Sequence, residues 1–411
     1  MSPPVSKYGM HLKHGDGRVR PGPIRNCTRL PMNVRGLTAH EVFELSTHEV
    51  EEILDLSMAG RYQPVDLAAL LVEAAAREVS PNQAAKDLGA SMSESNARHH
   101  LGKLEIDRLI ERVNARFTAR YAVLPNRPLQ AASDNTEVCF YGDAQNPRMH
   151  DFLRRGKAKR GTNNFLVLAS LYVILDHRRF TLALLPVRRG EAAADVLERL
   201  IQIARDGGVR IEVLFLDRGY DSGEVMARLQ ALEQPYCLMG RITGKEGGNG
   251  TRALCRGRTR KVRRARKLKD GTEVTSTLCI VRKWQKGKMG KHGAKYHLYY
   301  TWRCRIPINR IYNAYRGRFG IETSYRQKDD ARVRTTSTDP VRRFLFAAVG
   351  FLLVNLWVFL KWTRVSVPRP GRVGKKVFAE RFSLETMLVF LTVVCGERYD
   401  RRLEVVLPPG G

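Results

Sequence analysis

Between Tyr312 and Arg334 the chain reads YNAYRGRFGIETSYRQKDDARVR, which sets one carboxylate, Glu322, among a dense set of arginines. At 3.6 residues per turn, Tyr315, Arg318 and Glu322 are spaced by three and four and share one helical face. A guanidinium can clamp a phosphate through two hydrogen bonds, and a phenol can donate one to a neighbouring phosphate. The same composition also makes a solvated helix laced with arginine–glutamate pairs. Two aspartates elsewhere shift the balance. Asp134, in LQAASDNTEVCFYGD, ends a run of small and apolar residues, and Asp217, in IEVLFLDRGYD, ends a run that is almost wholly apolar. Both are expected at the carboxyl ends of buried strands, the edge where α/β sheets build sites. A lone aspartate there is more often a turn or helix cap. Two of them, ahead of a glutamate on an arginine-rich helix in a chain of net charge +30, point to chemistry on a polyanion.

The order Asp134, Asp217, Glu322, with YRGRFGIE matching a signature of tyrosine, two residues, arginine, three residues and glutamate, resembles the DDE transposases of prokaryotic insertion sequences. RRGKAKRGTNNF, DVLERL and NGTRAL resemble one archaeal-type branch of that group, and the likeness runs from Pro64 to Trp362. The resemblance implies an α/β, ribonuclease H-like catalytic core with a β-rich insertion, preceded by an α-helical, helix-turn-helix-like domain. It implies a transposase that binds transposon terminal repeats in double-stranded DNA and cuts and joins strands with two Mg2+ ions, Mn2+ being able to substitute. A homodimer on DNA follows from the need to pair two ends. In that reading Asp134 bridges both metals, Asp217 ligates one and Glu322 the other, an oxygen donor set that suits magnesium and in-line displacement at phosphorus. Arg318 and Tyr315 hold phosphates. The family's lysine would fall seven residues after the glutamate, where this chain has Asp329, and Lys328 stands one residue early. On an ideal helix Arg326 lies about 40° from Glu322, ahead of Lys328 at about 120° and Arg332 at about 80°. Arg326 is therefore the expected substitute.

Composition narrows the alternatives. The chain has 411 residues and 43% hydrophobic content, enough for two to three domains with proper cores. Its 71 Lys and Arg against 41 Asp and Glu are spread along the sequence, a field that attracts nucleic acid first. Seven cysteines without a C-x-x-C pair argue against a zinc ribbon or disulfide framework and for a reducing, cytoplasmic, nucleoid-associated setting. No apolar signal segment opens the chain. Rival readings are a nuclease of the same fold that cuts without joining, and an inactive or repurposed DNA-binding relative. A membrane protein would rest on residues 344–360 alone, where flanking basic residues and a central Asn355 favour a helix buried against the sheet.

The elements needed to position these residues follow from the periodicities. Residues 1–36 read as a flexible basic arm. Residues 37–124 read as a helical DNA-binding domain. Within it, Ser80-Pro81 opens one helix, Gly89 stops it, and Ser91 with Glu94 fits a capping box for a second. That second helix would present Asn96, Arg98, His99, His100 and Lys103 to DNA, with Ala97, Leu101 and Leu104 buried. The adjacent histidines lack a third ligand and are not read as a metal site. Residues 125–234 form the first part of the catalytic core. Residues 235–304 form a basic insertion whose cations, Arg263 and Arg264 among them, interleave with aromatics to contact DNA. Residues 305–365 complete the core, and 366–411 are a linker and a last helix. The spare carboxylates Asp143, Asp221, Asp329 and Asp330 are read as surface or turn residues.

Overall fold

The computed structural model describes residues 36–89, 91–121, 124–175, 178–286, 292–368, 376–378 and 381–401, giving the backbone course alone at 178–179, 285–286, 292, 319–324, 367–368 and 376–378. The basic arm expected over 1–36 lies outside them except for Gly36.

Five helices lead the described chain: α1 (Ala39–Leu54), α2 (Pro64–Ala76), α3 (Pro81–Asp87), α4 (Glu94–Leu101) and α5 (Ile106–Ala119). Local chemistry sets their starts. Thr38 and Glu41 close a capping box on α1, the Glu41 amide donating to Thr38 Oγ1 at 3.2 Å and the Thr38 amide to Glu41 at 2.8 Å. Ser80 caps α3, as its sequence foretells, but α4 is capped by Ser93, whose hydroxyl accepts from the Asn96 amide. Ser91 instead donates back to the Ala85 and Met92 carbonyls, so the capping box expected at Ser91 is not formed there. The helices do not form a free-standing domain. α5 packs on strand β4 (Arg178–Pro186), and Val42, Phe43, Leu70, Leu71 and Phe117 belong to one hydrophobic core with the residues of the sheet.

The sheet assembles β1 (Leu129–Phe140), β2 (Leu153–Lys159, after the short helix α6, Pro147–His150), β3 (Thr162–Leu175) and β4. It continues with β5 (Ile211–Leu216) and β6 (Tyr236–Met239), which are separated by α8 (Gly223–Ala231) and preceded by α7 (Ala193–Asp206). β7 (Arg260–Lys267), β8 (Glu273–Lys286) and β9 (His292–Trp302) complete it. The order is β2-β3-β1-β5-β6-β9-β8-β7, with β4 also on β3. β1 runs antiparallel to β3 and β3 to β4, whereas β1, β5 and β6 are mutually parallel. The insertion departs from expectation in one respect. Tyr236–Met239, assigned to it from sequence, is the strand beside β5, and β9 pairs back onto β6 with Tyr236 opposite Trp302. The β-rich segment therefore extends the central sheet and covers an edge that β6 would otherwise expose.

After the sheet come α9 (Ile308–Arg316), α10 (Gly320–Asp329) and α11 (Pro340–Thr363), then the two-stranded ribbon β10 (Ser366–Pro368) and β11 (Lys376–Phe378), and α12 (Leu384–Arg398). α11 is long and apolar enough to cross a membrane, yet 83% of its most apolar window is buried inside the protein. Its central polar residue explains why. Asn355 accepts from the Thr181 amide and donates to the Thr181 carbonyl, both at 2.9 Å. Asn114 of α5 does the same for Leu184, again at 2.9 Å. Two buried amides thus satisfy the outer backbone of β4, where a neighbouring strand would otherwise be needed. Gly350 lets α11 approach the end of α10: a Cβ there would stand 2.9 Å from the Ala331 carbonyl and 3.0 Å from that of Lys328.

Candidate active site

The last paired residues of the parallel β1–β5 ladder are Ser133 and Leu216. Asp134 and Asp217 are the next residue on each strand, so the two carboxylates leave the sheet side by side. Asp217 ends β5 as expected, and its Oδ1 accepts from the Gly219 amide at 2.7 Å, capping a single 3-10 turn. Asp134 does not end its strand: β1 runs on to Phe140, paired with β3. It marks the point where β1 parts from β5, which opens space beside it. Burial raises the Asp134 carboxyl above its ordinary range; the Arg318 guanidinium opposes the shift and the Asp217 charge adds to it.

Arg318 is nearly buried, with Nη1 3.0 Å from Asp134 Oδ2. Its guanidinium lies 5.5 Å from the Tyr315 ring, and Tyr172 donates to its carbonyl at 2.6 Å. The continuous helical face expected for Tyr315, Arg318 and Glu322 is broken. α9 stops at Arg316, a 3-10 turn covers Gly317–Phe319, and α10 starts anew. At three residues per turn instead of 3.6, that turn rotates α10 out of register with α9. Tyr315 is 2% exposed, packs against Phe215 and Tyr299, and donates to the Leu216 carbonyl at 3.2 Å. It ties α9 to the end of β5 and is no open phosphate donor. Burial raises its phenol.

The Glu322 side chain lies outside the described residues, but its backbone is bracketed. Four residues before it, Arg318 holds the Asp134 carboxylate. Three residues after it, the Tyr325 hydroxyl donates to the Asp134 carbonyl at 2.9 Å and lies 2.8 Å from Ser170 Oγ, the cross-strand partner of Asp134. Sequence reasoning missed Tyr325, and Tyr220 with it. Tyr220 is buried with its hydroxyl 3.3 Å from both Ser133 Oγ and Asn135 Oδ1, so it braces the strand on either side of Asp134. Their spacing gave no signal, because each acts across strands distant in sequence.

The remaining expected residues separate by burial. Arg326 is exposed. Lys328 is 2% exposed, its Nζ 2.8 Å from Asp329 and 5.7 Å from the Phe351 ring, and burial lowers its pKa. Arg332 is half-buried. In the helical region Arg98 and Lys103 are exposed and Asn96 half-buried, with Arg98 ion-paired to Glu94. Ala97, Leu101 and Leu104 are buried as expected; His100 is buried too, so it is not displayed to solvent. β7 alternates, placing Arg263 outward and Arg264 half-inward against the Asn249 carbonyl at 3.2 Å. Asp221, read as a turn residue, is in fact an interior partner, ion-paired with Arg266 at 2.7 Å and accepting from the Arg241 amide at 2.6 Å.

Among the described residues no group of three metal-ligating side chains forms. Asp134 and Asp217 supply two adjacent carboxylates, and burial together with the neighbouring Asp217 charge disfavours the ionised form of Asp134. Such a pair fits a hard divalent cation, which binds through one or two carboxylates and completes its shell with water or phosphate oxygens.

No family model and no curated protein matches the chain. The structure is similar to the cryo-EM structure of a piggyBac transposase synaptic complex with hairpin DNA, at a TM-score of 0.51 and 14% identity over 91% of this chain and 83% of that one. At that identity the likeness is one of fold, that of a mixed α/β chain built on a large mixed sheet.

Proposed function

We propose that this protein is a DNA transposase whose reacting centre lies at Asp134 and Asp217, with Glu322 as the third carboxylate. The observation that carries the reading is the pairing of the two aspartates where β1 and β5 part, with α10 anchored at that point by Arg318 and Tyr325. The strand order β4-β3-β1-β5-β6, three antiparallel and then parallel, supports a ribonuclease H-like core. The fold likeness to a transposase solved with DNA supports DNA as the substrate, as does the net charge of +30. The insertion-sequence branch rests on the sequence signature.

In this proposal Asp134, Asp217 and Glu322 would hold Mg2+, which when bound activates an incoming oxygen and stabilises a leaving one at phosphorus. The chain's own residues prepare the place. Arg318 offsets the Asp134 charge and fixes its carboxylate. Tyr325 and Tyr220 fix the strand that carries Asp134. Tyr315 fixes the turn that carries Asp217. Exposed Arg326, one turn beyond Glu322 on α10, is the cation placed to meet a phosphate next to the reacting one.

The test is strand cleavage and joining of plasmid-borne element ends in the presence of Mg2+. Asp217→Asn is expected to abolish both and to leave DNA affinity equal or higher, since it removes a negative charge facing phosphate. Parallel loss of binding and cleavage would sink the assignment, and cleavage without joining would favour the nuclease reading.

A further inference from the structure

On the face of the sheet covered by α9, strands β8 and β9 set Val281 opposite His297 and Lys283 opposite Lys295. Two lysines directly opposed on neighbouring strands repel each other, a pairing that sheets avoid. His297, one step inward, is 8% exposed, and its Nε2 is buried without a hydrogen-bond partner. Its ring meets that of Tyr312 at 4.8 Å, and the Tyr312 ring has Lys283 Nζ 5.1 Å and the Arg316 guanidinium 6.0 Å from its centre. Burial, with the charges of Lys295, Arg218 and Lys283, lowers the His297 pKa to about 4, so the ring is neutral at pH 7. No ion pair joins Arg218, Lys283, Lys295 or Arg316 to a carboxylate among the described residues.

The buried imidazole nitrogen is left unpaired, a penalty that a ligand would remove, and around it stand half-buried Lys283 and exposed Lys295, Arg218 and Arg316. The position names the ligand. Arg218 follows Asp217 directly, and Tyr299, two residues from His297 on the same face, packs on Tyr315. The cluster therefore continues the edge of the sheet from the paired aspartates toward the β8–β9 hairpin. A monoanionic group with several acceptor oxygens would take two ammonium donors and one imidazole N–H together.

We propose that Lys283, Lys295 and His297, with Arg218 and Arg316 at its margin, form a phosphate-binding subsite that holds one backbone phosphate of the DNA strand leading away from Asp217. The DNA part of this inference rests on the function proposed above, whereas the phosphate site does not.

The experiment uses the full chain and a mixed-sequence DNA duplex, with Kd measured across a salt series. A site that holds one phosphate predicts that the double variant Lys283→Met/Lys295→Met lowers the salt slope by about 0.9, the slope of one contact, and that each single variant, which leaves one ammonium on the phosphate, lowers it by less. Each single variant is expected to weaken binding by about tenfold, as for loss of one charge-assisted hydrogen bond. Cations that contact separate phosphates would instead give a double variant with twice the loss of slope, which overturns the shared site. His297→Phe keeps the ring packed on Tyr312 and is expected to weaken binding with no change of slope. As a measurement independent of DNA and of variant folding, inorganic phosphate titrated into the wild-type chain should shift the His297 imidazole resonances. No shift would overturn the subsite. A wild-type chain that shows the shift but binds no DNA overturns the functional reading and leaves the phosphate site standing. DNA binding with all three variants unchanged overturns the subsite alone.

Discussion

Lys328 and Arg326 stand two residues apart on α10 and are expected to answer substitution in opposite ways. Lys328 is 2% exposed and its ammonium meets one carboxylate, Asp329, whose side chain is itself 52% exposed. The interior therefore bears most of the cost of desolvating the ammonium, while Asp329 offsets only a part. Replacing a buried ion-pair member by an apolar residue of similar volume is often neutral or stabilising by about 1–4 kcal/mol when the partner can return to water. Lys328→Met keeps the stem against Phe351 and releases Asp329 to solvent, so a gain of about 1–2 kcal/mol in urea unfolding is expected. The pH dependence carries a sign. Burial lowers the folded-state pKa of Lys328, so the unfolded chain holds this proton more tightly and wild-type stability rises with pH through that window. The advantage of the Met variant should accordingly shrink as pH approaches about 10.4, where the unfolded lysine titrates. DNA affinity should be unchanged. Arg326→Ala, at an exposed position, should leave stability alone and weaken DNA binding by about 1.5–3 kcal/mol, one charge-assisted contact, or roughly 10- to 150-fold in Kd. The two variants are compared by fluorescence anisotropy at one fixed salt concentration. A larger loss for Lys328→Met would mean that the lysine leaves its buried seat to grip DNA, and would refute the reasoning.

Buried polar groups give two further expected outcomes. Asn355→Leu leaves the Thr181 amide and carbonyl unpaired inside the protein and should cost about 2–6 kcal/mol in urea unfolding, two groups at about 1–3 kcal/mol each; a cost below about 1 kcal/mol would mean that water reaches β4. Glu73 of α2 is fully buried beside Arg77 and Arg401, and burial raises its pKa despite both arginines. Its raised value contributes stability below the unfolded carboxyl range near about 4.3, and that contribution is lost as pH rises through the folded value. The Tm of Glu73→Gln minus that of wild type should therefore grow between about pH 4 and pH 7, and a constant difference would show that Glu73 is not held raised.

The parts of the site that were legible in sequence are those fixed by local pattern. An apolar strand followed by aspartate occurs at Asp217, and a small-residue strand leads into Asp134, so their common edge could be inferred without knowing that β1 and β5 are neighbours. What failed was extrapolation of one regular element across a break. Tyr315, Arg318 and Glu322 share a face only if 3.6 residues per turn hold throughout, and the 3-10 turn at Gly317–Phe319 ends that regularity. The same break gives Tyr315 and Arg318 different work: Tyr315 turns in to the Leu216 carbonyl, while Arg318 reaches the Asp134 carboxylate.

The other illegible features are long-range pairings. Asn355 reads as a flaw in an apolar run until Thr181 is placed against it. Tyr325 reads as one more aromatic until Asp134 and Ser170 lie under its hydroxyl. The basic insertion reads as a separate module because its charge pattern differs from that of the core, yet charge on the alternate residues of β7 says nothing about which strand β9 pairs with. That pairing has a consequence for the chemistry. Because β9 is hydrogen-bonded to β6, and β6 to β5, the cations of β8 and β9 are rigidly joined to the strand that ends at Asp217. A phosphate held at Lys283, Lys295 and His297 would thus be placed relative to Asp217 by a continuous sheet, which positions a strand more closely than a flexible basic module could.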